Sequence, residues 1–240
     1  MFHLNPIIYK KDVFILGSAP DPNLSLYSKD KILVTCNGSA SNAKKLNLVT
    51  PKMTIVDNEL IDESIAYSKP SRSVIVKNQL LKDLELGNLI CVQSNHSRGS
   101  KPDILKAKYE KVYNINNHLR KMIMRNIINI TWFEENDLSL ASTGGFAIAL
   151  CAFLKAKSIT FEGFKLFQGE TNDLKHFYES HESLPTIYKK LNSRPHSLAD
   201  SLIIGSLVAR GKKLYTNEID FLPIINNWGK PNLEYKKSKL

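Results

Sequence analysis

Short apolar runs rich in β-branched and aromatic residues recur along the chain and predict buried strands of a parallel sheet. They occupy residues 12–16, 31–36, 52–56, 73–76, 89–92, 158–162 and 213–216. Segments with apolar residues at helical spacing predict helices between them. These lie at residues 59–68, 115–130, 138–156 and 201–210. Such alternation is typical of a three-layer α/β fold with a mostly parallel sheet flanked by helices.

Glycine or small polar residues follow three of the predicted strands. Gly17 and Ser18 come after the first strand, Asn37 after the second and Asp57 after the third. An open α/β sheet binds its ligand at the carboxyl ends of its strands, so these residues are candidates for ligand binding. The Gly17 turn matches neither a dinucleotide fingerprint nor a Walker motif, because the required glycines and lysine are absent. Simple tight-turn use of the glycines is the alternative interpretation.

A turn of hydroxyl and glycine residues opens the apolar helix at 138–156. It contains Ser142, Thr143 and Gly144. Hydroxyl groups and unpaired backbone N–H groups at a helix start favour an anionic or carbonyl-rich ligand. The strand at 158–162 ends at Gly163, which predicts that the following loop reaches the same edge of the sheet.

A long polar segment with interleaved aromatic residues precedes the last predicted helix. Residues 168–195 are typical of a lid that excludes water when substrate binds, with an unstructured connection as the alternative. His196 follows the lid, with Ser197 as the expected N-cap. An imidazole there has the intrinsic pKa to accept a proton near neutral pH. The alternative role for His196 is a structural pair with Asp200, one helical turn later.

Charge and cysteine usage narrow the class of protein. The 240-residue chain has 33 Lys and Arg against 23 Asp and Glu, a formal net charge of +10 that suits anionic partners. The three cysteines have no CxxC pairing and lie in apolar surroundings, which predicts buried thiols and a reducing cytoplasm. The sequence shows no signal-peptide pattern and no apolar run long enough to span a bilayer.

The basic residues are scattered along the chain. The helix at 115–130 carries Arg120, Lys121 and Arg125, and its basic face is expected to point outward. No aromatic RNA-binding motif accompanies the basic residues, so nucleic acid is not an expected partner.

Taken in order along residues 12–222, the motifs resemble those of the bacterial sialyltransferases of glycosyltransferase family 42. The matching segments are Gly17-Ser18-Ala19-Pro20, Cys36-Asn37, Ser142-Thr143-Gly144, Gly163 to Phe167 and His196-Ser197. The resemblance implies a Rossmann-like fold of the variant glycosyltransferase-A type. It also implies a CMP-sialic acid donor, no metal or other cofactor, and a histidine general base.

The family's roles fall on definite positions of this chain. By matching position the base is His196, and Asn37 with the Ser142-Thr143-Gly144 turn holds CMP, flanked by Gly17 and Ser18. Asp57 stands where the family has asparagine, and Leu140 and Ser139 stand where it has an arginine. Phe167 replaces a tyrosine near the leaving phosphate, for which Tyr178 or Arg194 is the alternative contact.

The sequence therefore predicts one nucleotide-sugar-binding domain over residues 1–240, with a lid at about 168–195. The implied activity is inverting, metal-independent transfer of sialic acid, or of a related nonulosonic acid such as Kdo, to a glycan of a bacterial surface polysaccharide or lipooligosaccharide. A cytoplasmic location is expected, and peripheral contact with the inner membrane and a homo-oligomer are left open. Alternatives are another nucleotide-using enzyme, such as a methyltransferase or a pterin pyrophosphokinase-like protein, and a non-catalytic relative.

Overall fold

The computed structural model describes most of the chain. The described residues are 5–19, 21–62, 72–92, 101–128, 141–164 and 196–227, with the backbone alone at 72, 73, 196–198 and 227. The lid predicted at 168–195 lies outside these residues.

Seven strands form one sheet in which every described pairing is parallel. They are β1 (Asp12–Leu16), β2 (Ile32–Cys36), β3 (Met53–Asp57), β4 (Asn88–Val92), β5 (Val112–Ile115), β6 (Ser158–Glu162) and β7 (Leu214–Tyr215). Their spatial order is β5-β4-β3-β2-β1-β6-β7, so the chain reverses direction across the sheet between β1 and β6. The carboxyl ends of β1 and β6 therefore form the topological switch point at which α/β sheets bind ligands.

Helices connect the strands and cover both faces of the sheet. They are α1 (Asn5–Ile8), α2 (Ser39–Lys45), α3 (Arg72–Leu81), α4 (Asn117–Ile128), α5 (Thr143–Phe153), α6 (His196–Ala209) and α7 (Leu222–Asn227). Short 3-10 helices occur at Leu24–Leu26, Asn58–Leu60, Pro102–Leu105 and Ile219–Phe221. Within the described ranges, no helix is both long and apolar enough to cross a membrane.

The core is divided by the sheet into two apolar layers. Val13 and Ile15 of β1 face the layer that contains α4, α5 and α6, whereas Phe14 and Leu16 face the opposite layer. All four side chains are fully buried. Burial on both faces explains why the strands read as continuous apolar runs, and it confirms the predicted α/β fold class.

One predicted strand is wrong, and one observed strand was not predicted. Residues 73–76 form part of helix α3, not a strand. Val74 and Leu81, two helical turns apart, are buried in one apolar cluster while Ile75 is 43% exposed, so packing of one helical face overrides the β preference of the β-branched run. The strand that was not predicted is β5. It lies at the edge of the sheet, is only partly buried and lacks a continuous apolar run.

Of the predicted helix at 59–68, only residues 59–62 are described; the first two belong to the 3-10 helix Asn58–Leu60, and no α-helix forms there. Helix α6 begins at His196 rather than near residue 201. Ser197 is therefore its second residue and not its N-cap.

The three cysteines are buried and free, as predicted. Burial raises the pKa of the Cys91 and Cys151 thiols to about 12, and it also raises that of Cys36 well above its usual value. All three thiols are therefore protonated near neutral pH, which makes them poor nucleophiles.

Candidate ligand-binding site

The loops after β1 and β6 meet at the switch point. Gly17 N donates to Glu162 O at 2.8 Å, and Ala19 N donates to Gly163 O at 2.9 Å. A Cβ atom on Gly17 would lie 2.1 Å from Gly163 O, so no larger residue fits between these backbones. Gly17 therefore permits the close approach of the two loops, and the half-buried Ser18 follows it at the carboxyl edge.

Asn37 links the ends of β2 and β3 to the start of α5. Its Oδ1 accepts from Asp57 N at 2.9 Å, and its Nδ2 lies 3.2 Å from Thr143 Oγ1, to which it donates. Its φ of 50° is left-handed, a conformation that asparagine tolerates better than most residues. Asn37 thus brings three of the predicted site residues together.

Ser142 caps helix α5. Its Oγ accepts from Gly145 N at 2.9 Å and donates to Asp200 Oδ2 at 2.5 Å, while Ser142 N donates to Asp200 Oδ1 at 3.0 Å. Both carboxylate oxygens of Asp200 are therefore bonded to Ser142. This carboxylate joins α6 to the start of α5. The alternative pairing of Asp200 with His196 stays a prediction, because the side chain of His196 lies outside the described residues.

Both glycines of the turn make room for neighbouring side chains. A Cβ atom on Gly144 would lie 2.1 Å from the ring of Phe164, and one on Gly145 would lie 1.9 Å from Asp200 Oδ1. The turn sequence is thus explained by a serine cap followed by two positions without side chains.

The contact between Ser142 and Asp200 places the beginning of α6 beside the beginning of α5. His196 is the first residue of α6, and Asp200 lies one helical turn later. The backbone of residue 196 is therefore within about one turn of the Ser142 cap. Phe167, Tyr178 and Arg194 lie outside the described residues, as does the side chain of His196.

Asp57 and Asp200 bring negative charge to this edge of the sheet. Asp57 Oδ1 accepts from Glu59 N at 3.1 Å and caps the 3-10 helix that follows β3. Asp200 is 9% exposed, and desolvation raises its pKa to about 6, although hydrogen bonds from Ser142 and the charge of Arg120 act in the opposite direction. Asp200 is therefore ionised at pH 7.5 and neutral below its raised pKa.

Arg120 is a residue of this edge that the sequence interpretation missed. It was expected on the outward face of α4, but it is 7% exposed and its Nη2 donates to Ala141 O at 2.7 Å. Residues 120, 123, 124 and 127 recur at helical spacing, so Arg120 falls on the apolar face of α4. That spacing was the signal that could have located it.

Within the described ranges, no group of three or more His, Cys, Asp or Glu side chains could hold a metal ion. Metal independence stays a prediction.

A second carboxylate pair lies where β6 and β7 end. Glu162 is fully buried; its Oε1 accepts from Asn217 N at 2.7 Å, and its Oε2 has no hydrogen-bond partner. Glu218 Oε1 accepts from Gly163 N at 2.6 Å. Desolvation, with the charge of Glu218 as a smaller cause, raises the pKa of Glu162 from 4.5 to about 7.

Glu162→Gln is expected to reduce the pH dependence of stability. Because its folded-state pKa is raised, Glu162 contributes stability that is fully present below pH 4.5 and is lost as the pH rises through 7. At pH 8 the neutral variant should exceed the wild type by up to about 3 kcal/mol in the free energy of unfolding, and near pH 4 the two should match. Urea unfolding from pH 4 to 8 measures this.

The matched control is Glu59→Gln, which makes the same change on an exposed side chain and should follow the wild type. Parallel pH curves for Glu162→Gln and the wild type would contradict the assignment. A residual decline between pH 4 and 6 is expected from Asp200.

Comparison with known proteins agrees with this architecture. No protein-family model matches the chain, and no curated protein sequence matches it significantly. Among solved structures, however, the fold is that of bacterial sialyltransferases, so the predicted resemblance is confirmed at the level of the fold.

Two of these structures come from Campylobacter jejuni. The monofunctional alpha-2,3-sialyltransferase Cst-I superposes with a TM-score of 0.50 at 16% identity, over 90% of this chain and 82% of its own. The sialyltransferase CstII, in complex with the substrate analogue CMP-3FNeuAc, superposes with a TM-score of 0.49 at 14% identity, over 93% of this chain and 87% of its own.

Proposed function

We propose that the protein is a CMP-sugar-dependent glycosyltransferase that transfers sialic acid, or a related nonulosonic acid, to a glycan acceptor. The observation that carries this proposal is the pair of hydrogen bonds from Ser142 to Asp200, which brings the helix that begins at His196 to the capped start of α5. The backbone of the candidate base thus lies near the candidate phosphate site, which supports the proposal. The motif order and the fold shared with Cst-I support the same activity.

The start of α5 is suited to the phosphate of CMP. Backbone N–H groups of the first helical turn have no acceptor within the helix, and the helix dipole adds partial positive charge there. Thr143 carries a hydroxyl at the first helical position, held toward Asn37 by their hydrogen bond. These groups can stabilise charge that develops on a leaving phosphate without any metal ion.

In the proposed reaction, His196 takes the proton of an acceptor hydroxyl, whose oxygen forms a bond to the anomeric carbon of the donor. The bond from that carbon to the phosphate oxygen breaks, and CMP leaves with the electron pair. Attack opposite the leaving group inverts the anomeric centre. His196 ends the step protonated and returns its proton to solvent.

The donor sugar is proposed as sialic acid, with Kdo as the alternative, and the acceptor as a bacterial surface polysaccharide or lipooligosaccharide. The net charge of +10 suits peripheral contact with the anionic cytoplasmic face of the inner membrane, where such glycans begin. We propose a cytoplasmic location on these grounds.

Nucleotide preference tests the function directly. CMP at about 100 times its Kd should stabilise the fold by about 2.7 kcal/mol, which raises Tm by several degrees, whereas ATP and S-adenosylmethionine should have little effect. The variant Thr143→Val should weaken CMP binding about threefold to tenfold, because it loses one hydroxyl. Thr50→Val, an exposed position before β3, is the matched control.

Donor assays complete this test. CMP release from CMP-sialic acid and CMP-Kdo, with and without EDTA, should show one preferred donor and no effect of the chelator. A larger shift with S-adenosylmethionine or ATP than with CMP would replace the proposal with another nucleotide-using enzyme. Binding of CMP without transfer to any glycan would favour a non-catalytic relative.

A further inference from the structure

Arg120 lies in an unusual place for an arginine. It is on the apolar face of α4 at 7% exposure, with its guanidinium carbon 5.4 Å from the centre of the Phe146 ring. Its Nη2 donates to the carbonyl of Ala141, and its buried Nε has no hydrogen-bond partner. Removing a guanidinium from water is unfavourable, so its burial here points to an electrostatic role for the positive charge.

The guanidinium lies at the start of helix α5, because Ala141 directly precedes the Ser142 cap. Desolvation lowers the pKa of Arg120, whereas the charges of Asp57 and Asp200 act to raise it. The two carboxylates and the guanidinium therefore act on one another across this edge of the sheet. Without Arg120, the edge would present two carboxylates to an incoming phosphate, which disfavours anion binding.

We infer that Arg120 is a positioning residue of this site: it fixes the residue before the N-cap and supplies positive charge for the phosphate of the nucleotide donor. The inference rests on the proposed function and assigns the electrostatic part of donor binding to a residue of α4. Phe146 and the Ala141 carbonyl hold the guanidinium in place, so its charge stays oriented before any ligand arrives.

The decisive comparison is between CMP and cytidine, which differ only in the phosphate. Arg120→Gln keeps an amide donor for Ala141 O but removes the charge, and Arg120→Met removes both. Arg120→Lys keeps the charge but loses the planar fork of donors. Arg125→Gln makes the same charge change on an exposed position of the same helix and is the matched control.

We expect Arg120→Gln to weaken CMP binding by about tenfold or more while cytidine affinity changes by less than about threefold. Arg120→Lys should bind CMP more tightly than Arg120→Gln, and Arg125→Gln should match the wild type. Isothermal titration calorimetry of the full chain measures both ligands.

Unchanged CMP affinity in Arg120→Gln would overturn the inference, and so would equal losses for CMP and cytidine, since those indicate a purely structural role. In both cases the proposed function stands, because the wild type still binds CMP. A wild type that binds neither ligand would remove the proposed function and this inference together.

If neither neutral variant folds, a measurement on the wild type can still overturn the inference. Followed by ³¹P NMR, the phosphate of bound CMP should titrate well below its usual pKa of about 6, because nearby positive charge favours the dianion. A pKa equal to that of free CMP would overturn the inference.

Discussion

Replacing His196 with alanine is expected to lower the rate of sugar transfer by about 10²-fold to 10⁴-fold, while CMP affinity stays within about threefold of the wild type. The substitution removes the imidazole, which is proposed to take the proton from the hydroxyl of the glycan acceptor. It leaves the capped start of α5, the Asn37 link and Arg120 in place. Binding and chemistry should therefore separate in this variant.

The measurement is transfer to a glycan acceptor under saturating donor, with CMP affinity determined in parallel. His118→Ala changes an exposed histidine of α4 and should retain the wild-type rate. The pH profile alone does not assign the base, because the pKa of Asp200 is raised to about 6, into the range in which histidine side chains ordinarily titrate. Transfer by His196→Ala at the wild-type rate would remove the imidazole from the mechanism.

Gly145→Ala should destabilise the fold by about 1 to 3 kcal/mol, a cost typical of an overpacked site. The new Cβ would lie 1.9 Å from Asp200 Oδ1, so the carboxylate that bonds Ser142 has to move. Asp200→Ala should itself cost about 2 to 5 kcal/mol, because it leaves the N–H and hydroxyl donors of Ser142 without their acceptor.

The effect of Gly145→Ala on stability should change sign when Asp200 is also replaced by alanine. In the Asp200→Ala background the obstructing oxygen is absent, and alanine is preferred over glycine in a helix by about 0.5 to 1 kcal/mol. Gly145→Ala should therefore stabilise that background. Urea unfolding of the four proteins completes the double-mutant cycle. Additive costs would show that Gly145 and Asp200 do not interact as described.

Continuous apolar runs in the sequence were enough to predict the strands that form the middle of the sheet. Residues such as Val13 and Phe14 are buried on opposite faces, so the predicted run at 12–16 coincides with β1. The same pattern misled at 73–76, where only one helical face of α3 packs against the core. The edge strand β5 was not predicted, because a strand that is only partly buried can contain polar residues.

The candidate site was predictable in outline, since polar residues after successive parallel strands must meet at one edge. Asn37, Asp57 and Thr143 do meet there. The contact of Asp200 with Ser142 joins residues 58 positions apart, and nothing local in the sequence specifies such a contact. Arg120 was missed because arginine is usually a surface residue, although its spacing placed it on the apolar face of α4.

The central place of β1 affects how the protein is made. Among the described strands β1 is synthesised first, yet its partner β6 begins at Ser158, so one side of β1 has no neighbour until that residue has been synthesised. Pairing over such a separation is slow, and an unpaired apolar strand edge promotes aggregation in the meantime. The edge of β1 therefore stays unprotected until β6 has been synthesised. This interval, in which misfolding is favoured, comes before the candidate site can assemble.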